Sequence, residues 1–243
     1  MNLKISIVCP LHNKKLSTNE IKNLTITSKT NPKINKYFVL PNNYKFKKHL
    51  KLKLPKFNQK FINKKHFQSI KNYNNLMLST KIYKMFSKYD YMIINQSDAV
   101  IIKDLSPIEN IIEKYDYIGA PWRNPFYLNY FELKNIKIIK HFFNLFKIHP
   151  LFVGNGGLSI RKIKNFSKLF SELKLNLDKN IPEDIVISYL GQKGKLLIPK
   201  MNIAKKIFSE TILDKNLKVY GYHALEYWSQ QTQNKIYKKF SNI

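Results

Sequence analysis

Tyr91-Met92-Ile93-Ile94-Asn95-Gln96-Ser97-Asp98 is the stretch on which the reading of this chain turns. A short apolar run that gives way at once to amide, hydroxyl and carboxylate side chains reads as a buried strand opening into a loop. In an open α/β sheet, ligands bind outside the carboxyl ends of the strands, and Asn95 to Asp98 fall at such an end. Working outward, Ile5 to Cys9 followed by Pro10, and Tyr37-Phe38-Val39-Leu40 followed by Pro41-Asn42-Asn43, repeat the strand-then-turn pattern. Between them Ser17 or Thr18 caps a helix, with Glu20 in its first turn and Ile21 and Leu24 on its apolar face. These segments form a βαβ unit. The expected fold is α/β, with a mostly parallel central sheet flanked by helices, in one domain over residues 1–243 that ends in a tail at 229–243.

The remaining segments follow by the same rules. Residues 44–65 read as a surface connection holding one short strand, and 69–88 as two helices broken at Ser79-Thr80. Ser106-Pro107 starts a helix with Ile108, Ile111 and Ile112 on one face, and Tyr117-Ile118-Gly119 is a further strand. Pro121 to Lys147 is aromatic and basic without a clean period, the place for an inserted loop or flap. Leu151-Phe152-Val153 leads into a glycine cluster, a helix follows over Ile163 to Leu173, and Pro182-Glu183-Asp184 opens another through Leu190. Strand fragments are expected at Leu196-Leu197-Ile198 and from Ile203 to Phe208, before an amphipathic tail helix. No internal repeat of 20 to 50 residues is present, which excludes a solenoid.

Lys and Arg number 43 against 15 acids, a formal net charge of +28. Such a balance points to nucleic acid or an anionic membrane surface, yet only Arg123 and Arg161 are arginines, and base or bidentate phosphate recognition recruits Arg. A compositional lysine bias and a real anionic partner stay open side by side, and no specific nucleic-acid partner is expected. Cys9 is the single cysteine, so neither an intramolecular disulfide nor a cysteine metal cluster forms, which fits a reducing, cytoplasmic setting. No stretch approaches the apolar length of a spanning helix. The expected location is cytoplasmic, with peripheral attachment at the inner membrane face offered by the lysine excess.

With so few acids, those at strand and helix ends stand out. Asp98 is placed to bind Mg²⁺ or Mn²⁺ and through it a diphosphate; the alternative is an Asp that merely shapes a turn. Gly154-Asn155-Gly156-Gly157 holds three of the seven glycines and matches neither a P-loop nor a dinucleotide fingerprint; it allows close backbone approach, or simply a tight turn. Glu183-Asp184 at a helix start either takes a proton from an attacking hydroxyl or satisfies the helix dipole. His223, between Tyr222 and Ala224, is a packing residue or a ligand. No His-Glu-x-x-His spacing supports a zinc hydrolase.

Taken in order, the segments from Phe67 to Ser79, Tyr89 to Ala99, Tyr115 to Trp122 and Val153 to Lys162, together with Pro182-Glu183-Asp184 and Gly221-Tyr222-His223-Ala224, resemble a bacterial and eukaryotic domain family of unknown function that is similar to GT-A glycosyltransferases. The resemblance spans about Ile5 to Trp228. It implies a Rossmann-like GT-A fold and transfer of a sugar from a nucleotide-sugar donor to a hydroxyl acceptor, with inversion and with Mn²⁺ or Mg²⁺. A glycan or lipid-linked glycan acceptor, as in surface polysaccharide synthesis, is expected from charge alone, since the lysine excess suits an anionic inner leaflet. Asp98 matches the last acid of the metal-binding Asp-x-Asp motif, Gln96 stands where the first would be and can reach ribose or metal through its amide oxygen, and His223 matches the histidine that completes the metal shell. Asp184, beside Glu183, matches the general base. Pro10, Gln96, Ser97, Asp98, Pro121, Trp122, Gly154 to Gly157 (with Asn155 and Gly156 between) and Arg161 are the implied nucleotide-sugar contacts. Two competing readings are a basic surface-binding protein whose acids only shape turns, and an inactive sugar-nucleotide binder, the latter prompted by Gln96.

Overall fold

In the computed structural model, Ile5–Pro10 (β1) is buried along its whole length and pairs in parallel with both Asn35–Pro41 (β2) and Tyr91–Asn95 (β4). The structure describes residues 3–11, 16–46, 54–126, 151–173, 181–210 and 218–240. Asn58–Ile62 (β3) extends the sheet beyond β2, and Leu151–Lys162 (β7) and Tyr117–Phe126 (β6) extend it beyond β4, giving the order β3-β2-β1-β4-β7-β6. β7 is antiparallel to both β4 and β6, so it alone runs against the other five strands. The mostly parallel α/β sheet expected from the sequence is present. Apolar runs on β1, β2 and β4 are buried on both faces, the pattern that parallel sheets demand.

Helices cover both faces. Ile70–Met77 (α2), Thr80–Met85 (α3), Ile163–Leu173 (α5) and Glu183–Gln192 (α6) pack on one side around Met77, Tyr83, Phe166 and Ile187. Glu109–Ile112 (α4) and Met201–Ile207 (α7) pack on the other around Ile93, Ile112 and Ile160. Thr18–Thr30 (α1) begins with a capping box, in which Ser17 Oγ accepts the Glu20 N–H at 3.1 Å and Glu20 Oε2 accepts the Ser17 N–H at 2.7 Å. The second oxygen of Glu20 accepts the Ser97 hydroxyl at 2.5 Å, which ties the start of α1 to the loop after β4. A second sheet of Val100–Ile101 (β5), Phe208–Ser209 (β8) and Gly221–Tyr222 (β9) brings the end of the chain alongside that loop, ahead of the tail helix Gln230–Lys239 (α8).

Three local expectations are corrected. Residues 196–198 form no strand; the backbone N–H of Leu197 is held instead by the Asp116 carboxylate. Residues 201–207 are helical, because Ile203, Ala204 and Ile207 recur at helical spacing onto the core, and only Phe208-Ser209 is strand. Strand β6 continues to Phe126 where a loop was expected from Pro121; the rest of that expected flap, 127–147, lies outside the described residues.

Arg161, fully buried on β7, links three elements. Its guanidinium donates to Glu183 Oε1 on α6 at 3.1 Å, to the Gly156 carbonyl at 3.2 Å, to Tyr83 Oη on α3 at 3.3 Å and, through Nε, to Ser159 Oγ at 3.0 Å. Removing one member of a buried ion pair leaves the other charge uncompensated. Arg161→Leu is therefore expected to cost about 3–5 kcal/mol of unfolding free energy, read by urea denaturation, with part of the loss recovered in Arg161→Leu/Glu183→Leu. A double variant no more stable than the single one contradicts this account.

Candidate active site

The ends of β1 and β4, the middle of β7, the start of α6 and the turn after β9 enclose a cleft of about 620 Å³. Pro10 closes one side, Gln96, Ser97 and Asp98 form the floor, and Asn155, Gly156 and Gly157 supply the wall. Asp184 and His223 face into the same space. Four backbone hydrogen bonds fix this arrangement: Gln96 N–H to Gly157 O, Ala99 N–H to Gln96 O, Leu225 N–H to Asp98 O, and His223 N–H to Ser209 O. Ala224, next to His223, is held in the left-handed region at φ 52°, a conformation that a non-glycine residue adopts only under constraint.

His223 is the centre of the polar cluster. Its Nε2 lies 3.3 Å from Gln96 Oε1 and 3.6 Å from Asp98 Oδ1, while Nδ1 lies 3.2 Å from Glu210 Oε1. Burial works against a charged ring, but the hydrogen bond to Glu210 and the charges of Asp98 and Glu210 outweigh it and raise the pKa above the usual histidine value. The Asp98 carboxyl is also raised, chiefly by burial and against the pull of His223. Among the described residues Asp98 Oδ1 is buried without a hydrogen-bond partner. An orphaned carboxylate oxygen, an imidazole nitrogen and an amide oxygen thus converge on one spot. Neighbouring ligands of an octahedral Mg²⁺ or Mn²⁺ stand about 3 Å apart, so this donor set fits a divalent cation with little adjustment. No group of three His, Cys, Asp or Glu side chains suited to a metal occurs among the described residues, so a cation here would have only Asp98 and His223 from that set, with the Gln96 amide oxygen as the nearby third oxygen or nitrogen donor. Glu210 on the far ring nitrogen completes a carboxylate–histidine arrangement of the kind that orients metal-bound imidazoles.

The glycine cluster lies within β7, not in a loop, next to irregular pairing with β6. Asn155 Oδ1 accepts the Gly157 N–H at 3.0 Å and the Leu158 N–H at 3.3 Å. A Cβ on Gly156 would fall on Glu183 Oε1, and one on Gly157 would fall on His223 Nε2 and within 2.6 Å of Gln96 Oε1. The missing side chains are what let the Arg161–Glu183 pair and the imidazole approach the strand.

Asp184 stands at the first turn of α6. Its Oδ1 accepts the Ile185 N–H at 2.8 Å and its carboxylate is also held by the Gly156 N–H. Burial first, and the adjacent Glu183 charge second, push its pKa up to about 7.

The implied contact residues separate into two groups. Pro10, Gln96, Ser97, Asp98, Asn155, Gly156, Gly157, Glu183, Asp184 and His223 line the cleft; Pro121, Trp122, Gly154 and Arg161 do not. Trp122 instead packs over Gly154 and against Phe126, and all three guanidinium nitrogens of Arg161 donate to groups within the protein. Glu183 reaches the cleft with its carboxylate already paired to that arginine. Sequence reasoning missed Tyr73, which lies within the first of the two helices expected over 69–88, and Glu210, which no local pattern marks. It also missed Glu20 and Glu226 in the lining.

Charge is sharply partitioned. Glu20, Asp98, Glu183, Asp184 and Glu226 line the cleft, whereas none of the lysines or arginines does among the described residues. At the other end of β4, Lys84, Lys162, Lys164 and Lys168 surround a separate hollow of about 630 Å³. Asp90 shares that hollow with the four lysines.

Solved glycosyltransferases share this architecture at low identity. The galactosyltransferase LgtC in complex with donor and acceptor sugar analogs is 9% identical with a TM-score of 0.52, over 96% of this chain and 95% of that one. Mouse xyloside xylosyltransferase 1, in its apo form, is 10% identical with a TM-score of 0.54, over 90% and 96%. The apo bifunctional glycosyltransferase WbbM is 12% identical with a TM-score of 0.51; the likeness covers 95% of this chain and 46% of WbbM. These similarities show a GT-A glycosyltransferase-like fold. No curated protein matches the sequence. Residues 56–223, more than half of the chain, match the family described as Protein of unknown function (DUF5672), and the chain belongs to that family.

Proposed function

We propose that this chain is a metal-dependent, inverting glycosyltransferase that moves a sugar from a nucleotide-sugar donor to a hydroxyl of a glycan or lipid-linked glycan. The observation that carries the reading is the convergence of Asp98, His223, Gln96 and Asp184 on one cleft at the strand ends of a glycosyltransferase-like fold. Asp98 and His223, with Gln96, would hold Mn²⁺ or Mg²⁺. A divalent cation bound there supplies positive charge against the diphosphate leaving group. This answers the electrostatics of the cleft, which offers carboxylates and no basic side chain among its described lining.

Asp184 takes the proton from the attacking hydroxyl. With its pKa near 7 it is ionised in a useful fraction at neutral pH and still basic enough to accept a proton, the balance that general-base catalysis requires. The adjacent Glu183 is tied to Arg161 and acts by keeping Asp184 in place and raising its proton affinity. A single displacement follows, with inversion at the anomeric carbon. Association with an anionic membrane face, in surface polysaccharide or lipid-linked glycan assembly, is supported by the lysine-lined hollow remote from the cleft. No helix among the described residues is long and apolar enough to cross a membrane.

Asp98→Ala is expected to weaken Mn²⁺-dependent binding of UDP or GDP at least tenfold by calorimetry; unchanged binding removes the metal assignment. For Asp184 the sign of the pH effect is fixed. A carboxyl raised from 3.8 to about 7 stabilises the fold fully only below the lower value and loses that contribution as pH rises through the upper one. The ionised form that catalysis needs grows over the same interval. Transfer should therefore rise with pH through about 7, yielding product of inverted anomeric configuration. Asp184→Asn should keep donor binding, lose transfer by about 100-fold or more, and gain stability relative to wild type above pH 7 in denaturant melts. Full transfer in Asp184→Asn, or a retained configuration, contradicts the assignment.

A further inference from the structure

Gln96 has a primary amide with an acceptor at one end and a donor at the other, so its use as a ligand depends on which end faces the cleft. Two neighbours bracket it. Nε2 donates to Tyr73 Oη at 3.1 Å, and Oε1 points towards His223 Nε2 at 3.3 Å. Tyr73 projects from α2 into the same cleft, where its hydroxyl is able to accept as well as donate. Gly157 leaves the room in which the amide oxygen sits, since a Cβ there would approach Oε1 to 2.6 Å.

With the oxygen towards the cation, the amide N–H₂ must find an acceptor on the opposite side, and the Tyr73 hydroxyl provides it. With the amide reversed, two N–H bonds would point at the cation and the imidazole. We infer that Tyr73 is a positioning residue for the cation site: by accepting the Gln96 N–H it holds Oε1 as a third, uncharged ligand beside Asp98 and His223. The inference rests on the metal-dependent reading above. It also gives the amide a consequence that a second carboxylate would not have. A neutral third ligand leaves more of the cation's charge unbalanced, in a cleft that must attract a diphosphate without lysine or arginine among its described lining.

The test uses Mn²⁺ alone, followed by the electron paramagnetic resonance signal of the free ion, on the whole chain without sugar nucleotide. Tyr73→Phe is expected to weaken Mn²⁺ binding roughly tenfold, the usual range for losing an outer partner of a metal ligand. In a Gln96→Asp background both ends of the side chain are equivalent oxygens, and Tyr73→Phe should then change affinity by less than about twofold. Unaltered affinity in Tyr73→Phe, or an equal loss in both backgrounds, overturns the inference. Should Tyr73→Phe fail to fold, Gln96→Leu serves, and wild-type Mn²⁺ affinity there overturns it equally. Asp98→Ala run in parallel separates the two levels: if it too binds Mn²⁺ normally the metal reading itself has failed, whereas loss in Asp98→Ala with no effect of Tyr73→Phe refutes the positioning role alone.

Discussion

A guanidinium with no access to water anchors the working end of this molecule. Arg161 sits on the one reversed strand of the sheet and reaches the helix that carries Asp184, the strand carbonyl at Gly156 and the phenol of Tyr83. Each bond is needed, because a charge removed from solvent is tolerable only when its donors are met. The pair with Glu183 therefore fixes where α6 begins, and the start of α6 fixes where the Asp184 carboxyl meets the cleft. The arginine that looked suited to phosphate is a strut, and the acid it binds is a spacer and an electrostatic neighbour.

The glycine cluster belongs to the same construction. Its residues are strand, and three of them are glycine so that other groups can lie against the backbone: Trp122 at Gly154, the Glu183 carboxylate at Gly156, and the imidazole and amide at Gly157. Any side chain at Gly157 would enter the space between His223 and Gln96, so backbone and polar cluster are fitted to each other. Behind the imidazole, Glu210 and the left-handed Ala224 hold the ring to one orientation.

Much of this was legible in the sequence, and what was not has definite causes. The strands at Ile5–Pro10, Asn35–Pro41 and Tyr91–Asn95 announce themselves because both faces are apolar, and Ile163–Leu173 does so through its period. The strand expected from Ile203 to Phe208 is helix as far as Ile207, because isoleucine and alanine among lysines can be read with either period, and the burial of Ala204 and Ile207 decides for helix. Positions at element ends and family resemblance single out Asp98, Asp184 and His223, and the structure places all three on one cleft. Arg161 and Trp122 lie outside the described lining, a placement that residue type does not reveal. Tyr73 and Glu210 were invisible, since their roles arise from contacts across 23 and 13 residues of chain. The net charge of +28 gives no hint of the cleft, whose described lining carries five acids and no lysine or arginine.

Asp98, His223 and Gln96 are proposed to surround a cation, and anomalous diffraction at the manganese edge, from crystals soaked in Mn²⁺ and a nucleoside diphosphate, would locate it. A single strong peak bounded by Asp98 Oδ1, His223 Nε2 and Gln96 Oε1 is expected, with the diphosphate against its open side. A cleft without anomalous signal at saturating Mn²⁺, or a peak confined to another part of the molecule, would contradict it.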